Sequence, residues 1–219
     1  MQNPAMSFYL LGERAAVMQS HSPSSIAVQR KIWCVAQQLQ LRACCEDIVP
    51  GMNNLTAIFD PYLHSSTSIL ATLKNLWDAA TSSHFSGREI TIPVHYGGGA
   101  GPDLEVVALA NRLEPEQVVR LHSEASYLVF FLGFQPGFAY LGGLPEKLAT
   151  ARRSEPRLKI PKGSVGIGGS QTGIYPADSP GGWQIIGRTS FTLFNSESKQ
   201  PCLLLPGDTV RFAVESLHV

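Results

Sequence analysis

The side chains best suited to chemistry are concentrated in the second half of the chain. Five cations lie within eleven consecutive residues, opposed only by Glu155: Arg152, Arg153, Arg157, Lys159 and Lys162. Arginine side chains match the geometry of carboxylates and phosphates. The run therefore predicts a site for a small anion or an acidic partner surface, and an ordinary solvated loop is the alternative.

His122 lies at the end of a helix that we expect over residues 115–122. Histidine changes its charge near neutral pH, so a general base or a substrate-orienting group is chemically reasonable at this position. A histidine at the C-terminal end of a helix also complements the helix dipole. That structural role is the alternative interpretation.

Three glycine-rich segments combine turn-forming residues with aromatic ones. They read LGFQPGFAYLGGLP over 132–145, PKGSVGIGGSQTGIYP over 161–176 and SPGGWQIIGRTS over 179–190. Glycine lets the backbone approach a ligand closely. Hydrogen bonds and aromatic walls would come from four of their side chains, Gln171, Tyr175, Trp183 and Gln184. The segments predict a ligand groove, although a barrel whose tight corners need glycine has the same pattern.

A glycine cluster, HYGGGAGPD over 95–103, precedes a predicted helix. Successive backbone N–H groups in such a cluster resemble a phosphate cradle. The cluster lacks the Lys-Ser/Thr of a P-loop, and it carries Asp103, whose charge would repel a phosphate. A flexible turn between domains is the other interpretation.

The elements that must position these residues divide the chain into three parts. Residues 1–96 have the spacing of two helices packed on one face of a mostly antiparallel sheet, which predicts an α+β domain of ferredoxin-like type. Residues 97–125 are expected to form a glycine-rich linker with two short helices. Residues 126–219 are short apolar runs separated by close turns, which predicts an all-β barrel domain.

Composition excludes several classes of function. The 17 Lys and Arg residues balance 17 Asp and Glu residues, whereas a binder of nucleic acid or of a membrane surface needs a long-range positive field. No run approaches the ~20 apolar residues that cross a bilayer, and we expect no signal peptide. The four cysteines form no C-x-x-C pair, so we expect free thiols, no metal site and a cytoplasmic location.

The run from Leu132 to Thr189 closely resembles the allophanate hydrolase subunit 1 family, to which the KipI proteins belong. Four further segments match the family's pattern at corresponding places: PGMNNLT (50–56), GAGPDLEVVA (99–108), VVRLHS (118–123) and LLPGDTVRF (204–212). The resemblance covers nearly the whole chain. It implies a ferredoxin-like N-terminal domain and a cyclophilin-like C-terminal β-barrel.

The resemblance also implies an activity, a cofactor and partners. The implied activity is that of a component of an ATP-dependent 5-oxoprolinase, which opens the lactam of 5-oxoproline to L-glutamate with hydrolysis of ATP. ATP, with Mg²⁺, is the implied cofactor, and the component that binds it stays open because this chain has no Walker motif. The implied partners are a C subunit of the allophanate hydrolase subunit 2 type and an A subunit of the LamB/YcsF type, and activity is expected only in their complex.

Two other functions share the same motifs and stay open at this point. One is a histidine-kinase inhibitor, a KipI-like binding module that catalyses no reaction. The other is an allophanate hydrolase subunit that works without ATP.

By resemblance, twelve residues are expected to line one groove at the barrel. The predicted catalytic residues are His122, for proton handling, with Gln171 and Arg153. The predicted substrate-binding residues are Phe134, Gln135, Gly137, Arg152, Tyr175, Gly181, Gly182, Trp183 and Arg188. The arginines would clamp a carboxylate, and Tyr175 and Trp183 would contact the ring of the substrate.

Overall fold

A computed structural model describes residues 5–22, 25–81 and 87–219, and the chain divides into two compact units, Met1–Phe85 and Ser86–Val219. Within the described residues, no helix has the length and apolar character needed to cross a membrane. All four cysteines are free thiols.

The first unit is an α+β structure with one four-stranded sheet. Its elements are β1 (Met6–Leu10), β2 (Ala15–Ser20), α1 (Ile26–Gln40), β3 (Asp47–Pro50), β4 (Asn54–Ile58) and α2 (Ser66–Ala79). The sheet is antiparallel throughout, in the order β1-β2-β4-β3.

Helix α1 forms where the sequence places apolar residues at three- and four-residue steps. Ser25 caps its first turn by accepting a hydrogen bond from the backbone N–H of Val28. Ile32 and Leu39 are fully buried because this spacing brings them to one side of the helix. They share one core with Trp77 of α2 and with the sheet.

The second unit is a closed barrel accompanied by two helices. Its elements are β5 (Glu89–Gly97), α3 (Leu104–Asn111), α4 (Pro115–Glu124), β6 (Tyr127–Leu132), β7 (Ala139–Gly142), a 3₁₀ turn (Glu146–Leu148), β8 (Arg157–Ile160), β9 (Ser164–Gly168), β10 (Gln171–Ile174), β11 (Ser179–Gly181), β12 (Gln184–Arg188) and β13 (Thr209–His218). Seven strands close the barrel in the order β10-β7-β6-β13-β5-β12-β9, and β8 and β11 form a separate pair. The predicted C-terminal barrel is confirmed.

The predicted domain boundary at residue 96 is wrong. Strand β5 belongs to the barrel, where it runs parallel to β13 from Glu89 opposite Thr209 to Gly97 opposite His218. Ile92, Val94 and Tyr96 alternate into the barrel core. Alternation identified the strand, but it contains no information about which sheet the strand joins.

The predicted linker over 97–125 is also wrong, because its two helices are part of the barrel unit. Leu104 and Val107 of α3 and Val118 and Val119 of α4 are buried in the same core as the barrel strands. Apolar side chains at helical spacing need a surface to pack against, and here the barrel supplies it.

Candidate substrate-binding site

A small pocket lined by aromatic side chains lies on the outside of the barrel. Its volume is about 90 Å³, and we call it the aromatic pocket. It is lined by Phe134, Phe138, Tyr140, Arg152, Tyr175, Gly181, Gly182 and Trp183. Six of these eight residues were predicted from the sequence, so the structure brings together half of the twelve predicted site residues.

Phe138 is the centre of the pocket wall. Its ring meets the rings of Tyr140, Tyr175 and Trp183 edge to face, at centroid distances of 5.0, 5.3 and 5.5 Å. These rings form a hydrophobic cluster with Ile160 that is separate from the barrel core. Edge-to-face packing fixes each ring against its neighbours, so the wall is rigid.

Phe138 and Tyr140 were missed as site residues, although a sequence signal for them existed. Residues two apart on a strand point to the same side, so the pattern Phe-Ala-Tyr puts both rings on one face. Ala139 and Leu141, between and after them, pack into the barrel core instead.

Gly168 shows why this part of the sequence needs glycine. A Cβ atom at that position would lie 2.5 Å from atoms of the Trp183 indole, a distance that packed atoms do not adopt. Glycine therefore makes room for the ring of Trp183, which is 4% exposed. The glycines here serve the aromatic wall as well as the corners of the barrel.

Phe134 stands at the rim of the pocket in an unfavourable conformation. Its φ is +67°, in the left-handed region, and its side chain is 62% exposed. Its ring meets those of Phe138 and Tyr175 edge to face, at 5.5 and 6.3 Å. Exposing an aromatic ring on a strained turn costs stability, and such strain is concentrated at ligand sites.

The Tyr175 hydroxyl is a neutral polar group at the pocket. Burial raises the pKa of Tyr175, although a hydrogen bond from the Trp183 backbone and the nearby Arg152 charge oppose the shift. The phenol therefore keeps its proton at neutral pH and is available to donate or accept one hydrogen bond.

Arg152 is the cation of the aromatic pocket. Its guanidinium carbon lies 5.8 Å from the centroid of the Trp183 ring, within the range of a cation–π contact. Among the described residues it forms no salt bridge. The charge is therefore available to an anionic ligand.

Hydrogen bonds on both sides of Arg152 fix its backbone. The Gln184 side chain donates to the Ala151 carbonyl at 3.1 Å, and the Arg153 backbone N–H donates to the Gly182 carbonyl at 2.7 Å. The position of the cation relative to the pocket is thereby set by its neighbours.

Arg153 is not a lining residue of the pocket, because it is engaged by a buried carboxylate. Asp103 is 2% exposed. Its oxygens accept hydrogen bonds from Arg153 at 3.2 Å, from both terminal nitrogens of Arg157 at 2.7 Å, and from the Ile185 backbone N–H at 2.7 Å. Of the two neighbouring arginines predicted to clamp the carboxylate of the substrate, only Arg152 therefore lines the pocket.

His122 lies inside the barrel and not in the pocket. It is fully buried, and burial lowers its pKa to about 3. Its Nδ1 is 2.8 Å from the Tyr96 hydroxyl, its Nε2 is 2.9 Å from the Thr172 hydroxyl, and its ring stacks on Phe212 at 4.5 Å. With a neutral ring and both nitrogens engaged, His122 is placed to hold the core together.

Gln171, Gln135 and Gly137 do not line the pocket. The side-chain Nε2 atoms of Gln171 and Gln135 are buried and have no hydrogen-bond partner within the described part of the chain. Gly137 has a φ of +81°, and it packs against Phe194 and Leu193 at the turn between β6 and β7.

Arg188 lies in a different, larger cleft of the same unit. The described residues contain no group of three or more His, Cys, Asp or Glu side chains that could hold a metal ion.

Comparisons with known proteins show matches over most of the chain. The family described as carboxyltransferase domain, subdomain C and D, matches residues 6–204. The 5-oxoprolinase B subunit of Escherichia coli O157:H7 is 50% identical over 204 residues, which cover 93% of this chain and 94% of that protein. The 5-oxoprolinase B subunit of Haemophilus influenzae is 48% identical over 214 residues, or 98% of this chain and 100% of that protein.

A solved structure has a similar fold. The crystal structure of TTHA0988 superposes with a TM-score of 0.80 at 35% identity, and the match covers 92% of this chain and 39% of that chain. The family resemblance seen in the sequence is therefore confirmed. The chain belongs to the carboxyltransferase domain subdomain C and D family, and it is homologous along almost its whole length to the B subunits of 5-oxoprolinases.

Proposed function

We propose that this chain is the B subunit of an ATP-dependent 5-oxoprolinase, the enzyme that opens 5-oxoproline to L-glutamate. The observation that carries the proposal is 50% identity to such a subunit over 94% of that protein's length. Similarity of this extent covers almost the whole relative and not a single shared motif, so it supports a common activity as well as a common fold.

The aromatic pocket is the proposed binding site for 5-oxoproline. Its volume of about 90 Å³ is well below the roughly 300–1,000 Å³ of sites for drug-sized ligands, which favours a small ring. The substrate ring would pack against Trp183 and Phe138, and its carboxylate would face the guanidinium of Arg152.

The polar atoms near the pocket suit the remaining groups of the lactam. The neutral hydroxyl of Tyr175 could bond to the lactam oxygen or nitrogen. Phosphorylation by ATP would make the unreactive lactam carbon electrophilic, and this is the chemistry that the nucleotide supplies. The residues of this chain would bind and orient the ring for that step.

Two further proteins complete the proposed enzyme, a C subunit of the allophanate hydrolase subunit 2 type and an A subunit of the LamB/YcsF type. The naming of the relatives as B subunits supports an assembly of several different chains. In TTHA0988 the matching region is 39% of a longer chain, which supports a fold that works beside other domains. A cytoplasmic location is proposed because all four thiols are free.

We infer a finer fold class for each unit. The order β1-β2-β4-β3 with two intervening helices is the strand order of a ferredoxin-like fold in which the last strand has moved to the start of the chain. This supports a circularly permuted ferredoxin-like first unit. For the second unit, the family resemblance and the closed barrel support the cyclophilin-like class.

Co-purification followed by an assay tests the proposal. The chain is mixed with candidate A and C subunits, and glutamate release from 5-oxoproline is measured with and without ATP. We expect a stable complex whose activity requires ATP. Activity without ATP would favour an allophanate-hydrolase type of chemistry, and an inactive complex would favour a binding module, so either result overturns the proposal.

Two variants then link activity to the aromatic pocket. Arg152→Ala should raise the KM for 5-oxoproline by about tenfold or more, because a charge-assisted hydrogen bond contributes roughly 1.5–3 kcal/mol. Arg120→Ala removes an exposed arginine of α4 and should leave the KM unchanged. Equal KM values in both variants would show that the aromatic pocket is not the binding site for 5-oxoproline.

A further inference from the structure

A second cavity of the barrel unit has the chemistry of an anion site. Its volume is about 530 Å³, within the usual range for small-molecule sites. We call it the basic cleft, and its lining residues are His95, Ala100, Lys162, Arg188, Thr189, Ser190, Phe191, Ser216 and His218. The lining contains four basic side chains and no carboxylate.

Strand register builds one wall of the basic cleft. Arg188 of β12 lies opposite His95 of β5, and His95 lies opposite Ser216 of β13. Residues directly opposite each other on neighbouring strands point to the same face. The imidazole Nδ1 of His95 lies 2.8 Å from the Ser216 hydroxyl, so the three side chains form a fixed row.

Two of the lining residues of the basic cleft, Arg188 and Lys162, carry a permanent positive charge. Arg188 donates from Nε to the Lys162 carbonyl at 3.0 Å, which fixes the guanidinium. Neither Arg188 nor the Lys162 ammonium forms a salt bridge with any residue in the described part of the chain.

Two acidic side chains lie beside the cleft, and each is within salt-bridge distance of a basic residue other than Arg188 and Lys162. Asp178 pairs with the Lys159 ammonium at 3.0 Å and accepts the Lys162 backbone N–H at 2.7 Å. Glu215 lies 3.3 Å from Nε2 of His95. Asp178 also interacts electrostatically with Arg188, but among the described residues no carboxylate lies within salt-bridge distance of the Arg188 guanidinium or the Lys162 ammonium. Both cations can therefore bind an added anion.

The glycine cluster over 95–103 shapes this cleft, and two of its backbone N–H groups are used for hydrogen bonds within the cluster. The N–H groups of Ala100 and Gly101 both bond to the Gly97 carbonyl, at 3.1 and 2.8 Å. Gly97 has a φ of +72°, and a Cβ atom there would overlap the His218 carbonyl oxygen. The glycine thus lets the end of β13 approach and places His218 at the cleft.

We propose that the basic cleft binds the polyphosphate of a nucleotide. Arg188 and Lys162 would bind phosphate oxygens, since a guanidinium fork matches them bidentately and an ammonium adds a point charge. The hydroxyls of Thr189 and Ser190 add donors. The ring of Phe191, 38% exposed, offers a face for a base to stack on. The identification of the nucleotide as ATP rests on the proposed function; the phosphate chemistry of the cleft does not.

Calorimetric titration of the full chain at low ionic strength tests the phosphate part. The probes are ATP and inorganic tripolyphosphate. Both should bind, and Arg188→Gln and Lys162→Gln should each weaken binding by about tenfold or more, because each removes a charge-assisted contact. Thermal melts confirm that each variant folds. Arg120→Gln, which removes an exposed arginine elsewhere in the unit, is the matched control and should bind as the wild type does. Absence of binding, or equal affinity in all variants, overturns the inference.

The same titration separates a nucleotide from free phosphate. ATP should bind more tightly than tripolyphosphate, and Phe191→Ala should remove that difference, since stacking contributes only with a base present. Equal affinity for the two probes in the wild type contradicts the nucleotide assignment.

Failure of this inference is distinguishable from failure of the proposed function. If the chain does not bind ATP but its complex still hydrolyses 5-oxoproline with ATP, only the nucleotide-binding role of the basic cleft is overturned. Binding that depends on Arg188, in a complex with no 5-oxoprolinase activity, supports the cleft and overturns the proposed function.

Discussion

Strand β10 separates two aromatic clusters of opposite character. On its inner side Thr172 bonds to His122, whose ring nitrogens are both engaged and whose ring is fully buried. On its outer side Gly173 faces Trp183 and Phe138, beside a pocket whose Arg152 forms no salt bridge with any described residue and whose Phe134 is exposed. The inner cluster has every polar atom satisfied, as a stabilising core does. The outer cluster retains unused charge, exposed aromatic surface and strain, as a binding site does.

The largest expected effect comes from breaking the inner cluster. His122→Ala removes a stacked ring, takes the His122 partner from the Tyr96 hydroxyl, and removes one of the two hydrogen bonds of the Thr172 hydroxyl, which keeps its bond to the Gly166 carbonyl. We expect a loss of about 3 kcal/mol in the free energy of unfolding, measured by urea denaturation. His218→Ala, at an exposed histidine, should change it by less than about 0.5 kcal/mol. A small effect of His122→Ala would show that the inner cluster is not structural.

The inner cluster also predicts how stability depends on pH. Burial lowers the pKa of His122 from 6.5 to about 3, so between these values the unfolded chain binds a proton that the folded chain does not. The contribution of His122 to the free energy of unfolding is therefore fully present above pH 6.5 and declines as the pH falls toward 3. Between pH 7.5 and 5.5 the contribution is a loss of about 1.4 kcal/mol.

The variant His122→Asn isolates this contribution. Its unfolding free energy should lack the decline over the same interval, while other titrating groups affect both proteins equally. An identical pH profile in the two proteins would show that His122 titrates normally in the fold.

A substitution at Gly168 tests whether the outer cluster binds substrate. Gly168→Ala places a Cβ atom against the Trp183 indole and should displace the ring. We expect the KM for 5-oxoproline in the assembled complex to rise by about tenfold, because a shift of about 1 Å in a positioning group is costly. Gly99→Ala, at a glycine with open space around it, is the control and should leave the KM unchanged. A normal KM in Gly168→Ala would exclude Trp183 from substrate binding.

The smallest effect on stability distinguishes the two neighbouring arginines. Arg153→Ala leaves buried Asp103 with one arginine fewer and should cost about 1 kcal/mol in unfolding free energy. Arg152→Ala touches only the exposed edge of the pocket and should cost less than about 0.5 kcal/mol, while it raises the KM. Urea denaturation of both variants tests this. The reverse ranking of the two stabilities would contradict the assignment of Arg153 to structure.

The sequence predicted the elements of the fold more reliably than their assembly. Short apolar runs between turns indicated the barrel, and the spacing of Val28, Ile32 and Leu39 indicated α1. The membership of β5 could not be predicted, because its pairing with β13 joins residues about 120 positions apart. Alternation along one strand does not identify a partner that far along the chain.

The candidate site was predicted in part, for a comparable reason. Residue types and family resemblance indicated Tyr175, Trp183 and Arg152, which the structure brings together. They also indicated Arg153 and His122, whose side chains could be assigned only after their partners were known. Arg153 donates a hydrogen bond to Asp103, about 50 residues away along the chain. His122 is hydrogen-bonded to Tyr96 and Thr172, which lie on two different strands. Whether a polar residue is free or paired depends on such long-range contacts.

The most direct test of the aromatic pocket observes Trp183 itself. The chain has three tryptophans, Trp33, Trp77 and Trp183, so labelling them with fluorine gives three resonances for the assembled complex. On titration with 5-oxoproline in the absence of ATP, the Trp183 resonance should shift with saturation. Those of Trp33 and Trp77, buried in the first unit, should not. An unshifted Trp183 resonance at a substrate concentration that saturates turnover would contradict the assignment of the aromatic pocket as the substrate site.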